Sequence, residues 1–145
     1  MSFSGDVEKF AAKVEQKSDR FVRGVAFKVA ESVINMSPVG NPDLWKGSPP
    51  PGYVGGRFRG NWQLGIGKPA DGTLSAVDKS GASTKSKLAS AIEQVVAGDR
   101  FYITNNLPYA IPLEYGYSTQ APGGMVRLTA ARFRSIARKM ALSIK

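Results

Sequence analysis

The feature that most constrains the fold of this chain is a stripe of apolar residues in its first quarter. Its members follow one another at intervals of three, four or seven positions: Val7, Phe10, Val14, Phe21, Val25, Val29 and Val33. This spacing matches one face of an α-helix, which has about 3.6 residues per turn. Proline disfavours helical backbone in the residue before it, so Ser37-Pro38 ends the run. The sequence therefore predicts a long amphipathic helix from Asp6 to Asn35, with Gly24 marking a close helix contact.

The remainder of the chain predicts shorter elements of both kinds. After an irregular segment rich in Pro and Gly, these are a strand over 57–67, a second strand over 73–77, a mobile loop over 78–86, a helix around 88–96 capped by Thr84 or Ser86, a strand over 100–104, a turn with a short helical piece over 105–117 and a C-terminal helix over 126–144. The pattern is typical of the α+β class: a small, mostly antiparallel sheet packed by a long N-terminal helix, a middle helix and a C-terminal helix. We expect a single domain over 1–145 with an irregular Pro/Gly-rich insertion loop at 40–56.

Composition narrows the chemistry. The chain has neither His nor Cys, which excludes Ser-His-Asp triads, Cys nucleophiles and zinc sites built from those residues. The carboxylates are scattered rather than paired for acid–base catalysis. Glu114 stands in an apolar context between Leu113 and Tyr115, where a structural carboxylate that pairs with an Arg or caps backbone N–H groups is expected. We therefore expect no enzyme, no cofactor and no metal.

The charge is strongly basic and unevenly placed. The chain carries 20 Lys and Arg against 11 Asp and Glu, a net charge of +9, and residues 125–145 contribute six basic groups and no acid. A basic end is typical of proteins that bind nucleic acid, a membrane surface or an acidic protein. With no apolar run of about 18 residues, a membrane-spanning segment is not expected. The single Arg- and Gly-rich stretch at 55–60 is read as a turn into a strand or as a nucleic-acid contact.

One region is recognisable as a motif. It comprises Tyr102-Ile103-Thr104-Asn105-Asn106-Leu107-Pro108-Tyr109-Ala110, Leu113-Glu114-Tyr115-Gly116, Ser118, Gln120-Ala121-Pro122 and Gly124-Met125-Val126, preceded by Ser37-Pro38-Val39 and Gly56-Arg57-Phe58-Arg59-Gly60-Asn61-Trp62. In these residues the chain resembles the tail-completion, or head–tail joining, proteins of long-tailed bacteriophages, which include the minor tail protein Z group. It departs from the family pattern in the inserted segment from Gly40 to Gly55.

The resemblance implies a structural virion protein that completes or joins the tail at the head–tail junction, or neck. The expected assembly is a sixfold ring of this chain. Expected partners are a tail terminator, the tail tube or head-closure proteins, with non-specific contact to passing DNA and no membrane. The expected location is the virion, and the host bacterial cytoplasm before assembly.

Two sets of site residues follow. Expected at subunit or partner interfaces are Trp45, Tyr53, Arg57, Arg59, Trp62, Tyr109, Glu114 and Tyr115, with Arg57, Arg59 or Arg127 as the basic partner of Glu114. Expected to line a DNA channel are Arg132, Arg134, Arg138 and Lys139. The alternative function is a nucleic-acid-binding module that uses Arg57, Arg59 and the basic C-terminal helix.

Overall fold

The computed structural model describes residues 3–41, 48, 51 and 53–144. The elements in this part of the chain are α1 (Phe3–Met36), a 3-10 turn (Arg59–Asn61), β1 (Trp62–Ile66), α2 (Ala82–Ile92), β2 (Phe101–Asn105), α3 (Ala110–Glu114) and α4 (Val126–Ser143). The two strands pair antiparallel, with Trp62 opposite Asn105 and Ile66 opposite Phe101. The predicted α+β class, with a long N-terminal helix and a small antiparallel sheet, is confirmed.

The long helix predicted from the apolar stripe is present and ends where the sequence indicates. Beyond Met36 the backbone N–H of Ser37 still donates to Ile34, at 3.2 Å, and its hydroxyl donates to the carbonyl of Val33, at 2.6 Å. The stripe itself divides into two parts. Its C-terminal half enters the core, where Val33 is buried, whereas its N-terminal half lies in solvent.

The core forms on one face of the sheet, where α2 packs against β1 and α1, while α4 packs on α1. Residues directly opposite each other in an antiparallel pair share a face, so Leu64 and Ile103 both point to this side. The buried core residues are Ala26, Ala30, Val33, Ile34, Phe58, Trp62, Leu88, Ile92, Leu107, Ala121 and Met125. The predicted close contact at Gly24 is confirmed, because a Cβ there would overlap the sulfur of Met140 in α4.

The predicted strand over 73–77 is wrong, and the strand over 57–67 is shorter than predicted. The buried amide side chain of Asn61 hydrogen-bonds to both backbone polar groups of Leu74. Its Oδ1 accepts from the Leu74 N–H at 2.7 Å, and its Nδ2 donates to the Leu74 carbonyl at 3.0 Å. A side chain thus provides the partners that a neighbouring strand would otherwise provide. Residues 57–61 form turns, and β1 begins only at Trp62.

The predicted mobile loop over 78–86 is also wrong, because the buried Asp78 organises it. The Asp78 carboxylate accepts from the backbone N–H of Gly81 at 2.9 Å and of Thr84 at 2.7 Å, and from the Thr84 hydroxyl at 2.7 Å. Burial alone would raise the pKa of Asp78, but these bonds and a weaker one from Ser80 lower it below its usual value. As a result α2 begins at Ala82, and Asp78 takes the capping role predicted for Thr84 or Ser86.

The chain leaves the core after α1 and returns to it at nearly the same place. The backbone at Gly55 lies so close to the Gly40 carbonyl that a Cβ at Gly55 would overlap it. Beside this point the Gln120 side chain pairs with Val39, accepting from its N–H at 3.0 Å and donating to its carbonyl at 2.9 Å. The two ends of the 40–56 segment are therefore fixed to each other and to the body.

Candidate functional site

The motif over 102–126 begins with a turn that two asparagine side chains hold in place. The Asn105 amide donates to the Phe58 carbonyl at 2.8 Å, which links the end of β2 to the turn before β1. The Asn106 amide donates to the carbonyls of Ala70 at 2.8 Å and of Gly72 at 3.0 Å. These bonds join the motif to the preceding connection, so α3 follows from a fixed starting point.

Glu114, the last residue of α3, caps the N-terminus of α4. Its carboxylate accepts from three consecutive backbone N–H groups: Met125 at 2.8 Å, Val126 at 3.0 Å and Arg127 at 2.9 Å. The first turn of a helix has free N–H groups and a partial positive charge, so a carboxylate is well suited to this position. Burial alone would raise the pKa of Glu114, but the donors on Arg127, Met125 and Val126 lower it below its usual value. The predicted capping role is confirmed.

Arg127 completes a compact unit with Glu114 and Tyr115. Its Nε lies 3.3 Å from the Glu114 carboxylate, and its Nη2 donates to the Glu114 carbonyl at 2.6 Å. Its guanidinium also lies over the Tyr115 ring, 4.6 Å from the centroid. Of the three arginines predicted as the basic partner of Glu114, Arg127 is therefore the one that pairs with it. Neither Arg57 nor Arg59 pairs with Glu114, because both bond to backbone carbonyls elsewhere.

This unit supports an exposed apolar surface. Ile111 is 69% exposed, Tyr115 69% and Tyr117 84%. The N–H of Tyr115 donates to the Ile111 carbonyl at 3.2 Å, so Ile111 and Tyr115 lie one helical turn apart and project on the same side. We call Ile111, Tyr115 and Tyr117 the motif surface. Ile111 and Tyr117 were not among the predicted interface residues, although their apolar character between residues of the motif was a usable signal.

Tyr109, at the N-terminal end of α3, is partly exposed. Its ring lies 6.1 Å from that of the buried Phe58. Partial burial raises the pKa of Tyr109; the nearby Arg57 acts in the opposite direction, and Tyr53 adds to the increase. Tyr53 and Arg57 thus lie within electrostatic range of Tyr109. Trp45, also predicted at an interface, lies outside the described residues.

Two predicted interface residues are instead structural. Trp62 is 3% exposed, and its indole N–H donates to the Ser37 hydroxyl at 2.7 Å, so it is a core residue that no partner can reach. The Arg59 guanidinium donates to the carbonyls of Lys79 at 2.6 Å, Ser37 at 2.7 Å and Asn35 at 3.3 Å. Arg59 thereby joins its own turn to the end of α1 and to Lys79, and these bonds occupy N–H donors that a phosphate contact would need.

The four basic residues predicted to line a channel do not share one face of α4. Arg132 and Lys139 line a groove of about 460 Å³ between α4 and α1, and Lys28 lines its other wall. At about 100° per residue, Arg134 and Arg138 point away from this groove, and both are exposed. The groove also contains Glu31, which lies 3.4 Å from Lys28. Lys28 was missed in the sequence because its proximity to Arg132 appears only in the fold.

A second groove, of about 430 Å³, is almost entirely apolar. It lies between the sheet and the start of α4, and its walls include Phe101 and Ile103 of β2. Val126 and Phe133 line its opposite wall and are each about half exposed. This groove and the motif surface are two different apolar surfaces on one chain.

The described residues contain no cluster of three or more acidic side chains that could hold a metal ion. The two carboxylates with lowered pKa values, Asp78 and Glu114, both accept backbone N–H groups, which assigns them structural roles. None of the helices in this part of the chain combines the length and apolar character needed to cross a bilayer.

None of the protein-family models, curated proteins or solved structures with which the chain was compared matches it.

Proposed function

We propose that this chain is a structural subunit that completes or joins the tail of a long-tailed bacteriophage at the head–tail junction, where it forms a ring. The observation that supports this most directly is the motif surface. The segment that carries the family resemblance also exposes Ile111, Tyr115 and Tyr117 on a braced support, and Tyr115 is itself one of the residues that carry it. Exposed apolar groups that cluster on a fixed support are typical of protein-interaction sites.

The bracing of the motif surface favours binding. Ordering side chains and loops at an interface costs free energy, and a segment held in place before association loses less. Glu114 and Arg127 fix the helical turn that carries Ile111 and Tyr115. Tyrosine adds a large amphipathic contact area with few rotatable bonds.

A closed ring of identical subunits with more than two members requires two different surfaces on each subunit, since neighbours contact each other head to tail. The chain offers the motif surface and the apolar groove lined by Phe101 and Phe133. The expected partners are therefore further copies of this chain, together with a tail terminator, the tail tube or head-closure proteins. The proposed location is the virion, preceded by the host bacterial cytoplasm.

The proposal can be tested in the encoding phage by replacing its own copy with a Tyr115→Ala/Tyr117→Ala variant. We expect the infectious titre to fall at least tenfold and untailed heads and free tails to accumulate in electron micrographs. The matched control is Leu142→Ala, which truncates another highly exposed apolar side chain, outside the motif, and should leave the titre unchanged. Circular dichroism of both purified variants should match the wild type. A full titre of normal particles from the double variant would contradict the proposal.

The second candidate is nucleic-acid binding, and α4 is the observation that favours it. This helix carries five basic residues and no acid, and two of them, Arg132 and Lys139, line the groove that also contains Lys28. Phosphate contacts release counterions, so the logarithm of the association constant with duplex DNA should fall steeply with the logarithm of salt concentration. Arg132→Glu/Lys139→Glu and Arg134→Glu/Arg138→Glu make equal charge changes on different sides of the helix, so they distinguish the groove from the outer face. A flat salt response would exclude this function.

A further inference from the structure

One edge of the two-stranded sheet has no neighbouring strand in the part of the chain that the structure describes, because β2 pairs only with β1. In an antiparallel pair, every second residue exchanges hydrogen bonds with the partner strand, and the residues between them turn their backbone groups outwards. The N–H of Gly67 donates to the carbonyl of Arg100, directly before β2, at 2.7 Å, so Arg100 belongs to the bonded set. The outward set of β2 is therefore Phe101, Ile103 and Asn105, which we call the β2 edge. None of their backbone groups has a hydrogen-bond partner among the described residues.

A second segment, in the connection between β1 and α2, is held to the body along one side only. Both backbone polar groups of Leu74 bond to a side chain of the body, as described above. The N–H of Asp78 donates to the Gly56 carbonyl at 3.0 Å. Between them the Ala76 carbonyl also faces the body, since a Cβ at Gly60 would lie 2.9 Å from its oxygen. Backbone groups that face one side at every second residue indicate an extended chain.

The residues that alternate with these turn their backbone groups to solvent. They are Thr73, Ser75 and Val77, all of them exposed, and we call them the 73–77 edge. Within the described ranges no hydrogen bond reaches their backbone groups. Like the β2 edge, the 73–77 edge presents the N–H and carbonyl groups of three alternate residues. Unpaired edges of this kind are sites at which another extended chain adds to a sheet.

The two edges match in length and in the groups that they present. We propose that the 73–77 edge of one subunit pairs antiparallel with the β2 edge of the next subunit in the ring. The register that uses every residue of both edges places Val77 opposite Phe101, Ser75 opposite Ile103 and Thr73 opposite Asn105. Each of these pairs exchanges two hydrogen bonds, which satisfies the backbone groups that the separate subunits leave unpaired.

The apolar groove beside β2 favours the antiparallel direction. Residues directly opposite each other in a sheet share a face, so Val77 enters the groove beside Phe101, with Phe133 on the opposite wall. Val77 is 49% exposed in the subunit, and its contact with the groove removes apolar surface of both from water. In the parallel direction Val77 would instead lie beside Asn105, which does not line the groove.

The two edges are different surfaces, so the contact is head to tail and can repeat around a ring. The inference deepens the proposed function and rests on it for this setting. The groove remains one of the two surfaces by which ring neighbours meet, and the 73–77 edge adds to the motif surface as the other. Arg57 connects these two parts, because its Nε donates to the Leu74 carbonyl at 3.5 Å and its charge acts on Tyr109 at the start of α3.

The first test is self-association of the full chain, measured by analytical ultracentrifugation over a range of protein concentrations. Ser75→Pro removes the central N–H of the 73–77 edge without removing a hydrogen bond described within the subunit, and we expect it to weaken self-association about tenfold. Ser75→Ala keeps this N–H and is the matched control, which should associate as the wild type does. Circular dichroism of both variants should match the wild type. A wild-type chain that stays monomeric at all concentrations, or a Ser75→Pro variant that associates as the wild type does, would overturn the inference.

The register can be read by cross-linking, because the chain has no Cys and any introduced thiol is unique. In the proposed pairing Tyr102 lies opposite Ala76 with the Cα atoms about 4.5 Å apart, a distance that a disulfide spans. Tyr102→Cys and Ala76→Cys variants, carrying tags of different mass, are oxidised separately and as a mixture. The mixture should give mixed dimers, and neither variant alone should cross-link to itself. Self-linked dimers of either variant, or a mixture without mixed dimers, would overturn the inference.

The virion role is tested separately by the titre of the Tyr115→Ala/Tyr117→Ala variant. A reduced titre without mixed dimers would overturn the pairing and leave the proposed function in place. Mixed dimers together with a full titre would have the opposite result, so either proposal can fail without the other.

Discussion

Replacing Glu114 with Gln tests whether the motif segment depends on the cap that this residue provides. Gln retains the size of the side chain but removes the charge and one acceptor, while the N–H groups of Met125, Val126 and Arg127 remain at the start of α4. Loss of a helix cap costs about 0.5–2 kcal/mol, and loss of an anion at a partly buried helix N-terminus costs about 0.3–2 kcal/mol. The two effects overlap here, so we expect the free energy of unfolding to fall by about 1–2 kcal/mol at neutral pH.

The dependence of this loss on pH follows from the lowered pKa of Glu114 in the folded chain. A carboxyl group whose folded pKa is depressed stabilises the fold above its unfolded pKa, and this contribution is lost as pH falls through the folded value. The difference between wild type and Glu114→Gln should therefore be full at neutral pH. It should begin to shrink near the ordinary value of 4.5 and disappear below the folded pKa.

The assay is urea denaturation followed by circular dichroism at a series of pH values, with Glu93→Gln as the control. Glu93 is exposed at the end of α2, and its substitution should change the unfolding free energy by no more than about 0.5 kcal/mol. If Glu114→Gln and Glu93→Gln lose the same stability at neutral pH, the capping argument is wrong. If the Glu114→Gln loss persists undiminished in strong acid, the cause is not the charge.

Three further predictions follow from buried or exposed side chains. Asp78→Asn weakens the cap before α2 and should lower the unfolding free energy by about 1–3 kcal/mol at neutral pH. Because the pKa of Asp78 is lowered in the folded chain, this loss should shrink as pH falls. Denaturation curves that show the same loss at every pH would contradict the prediction. Trp62→Phe removes the hydrogen bond to Ser37 and leaves a small cavity, so the unfolding free energy should fall by about 1–3 kcal/mol. Thermal and urea denaturation measure this change, and an unchanged midpoint would refute the core assignment of Trp62. Arg134→Glu/Arg138→Glu changes exposed positions and should leave the unfolding free energy within about 0.5 kcal/mol of wild type. Under the proposed function, the titre of the encoding phage should nevertheless fall. Unchanged infectivity would exclude a role for this pair in assembly or DNA passage.

The sequence predicts those parts of the fold whose signals are local. The period of the apolar residues in α1 and α4 lies within each segment, and both helices are present within a few residues of the predicted bounds. The strand over 73–77 was wrong because its backbone partner is the Asn61 side chain, which no pattern inside the segment can reveal. Periodicity also identifies the apolar face of α1 without indicating that Val7 and Phe10 lie beyond the body.

In the candidate site, too, only the roles with a local signal could be predicted from the sequence. The capping role of Glu114 could be predicted because it is a carboxylate in an apolar segment. The sequence left three arginines as its possible basic partner, and only the fold, which brings the start of α4 beside Glu114, shows that the partner is Arg127. Trp62 and Arg59 were predicted at an interface, and Arg59 also as a basic partner of Glu114. Burial identifies Trp62 as a core residue, and bonds to three backbone carbonyls identify the structural role of Arg59.

The approach of Gly55 to Gly40 brings the two ends of the intervening segment together in the folded chain. A loop whose ends are already held together contributes to stability mainly through its closure entropy, which changes by only about 0.6 kcal/mol for each doubling of its length. A change in the length of this segment should therefore cost little closure entropy. An insertion or deletion between these two glycines is thus a change of length that the fold can accept.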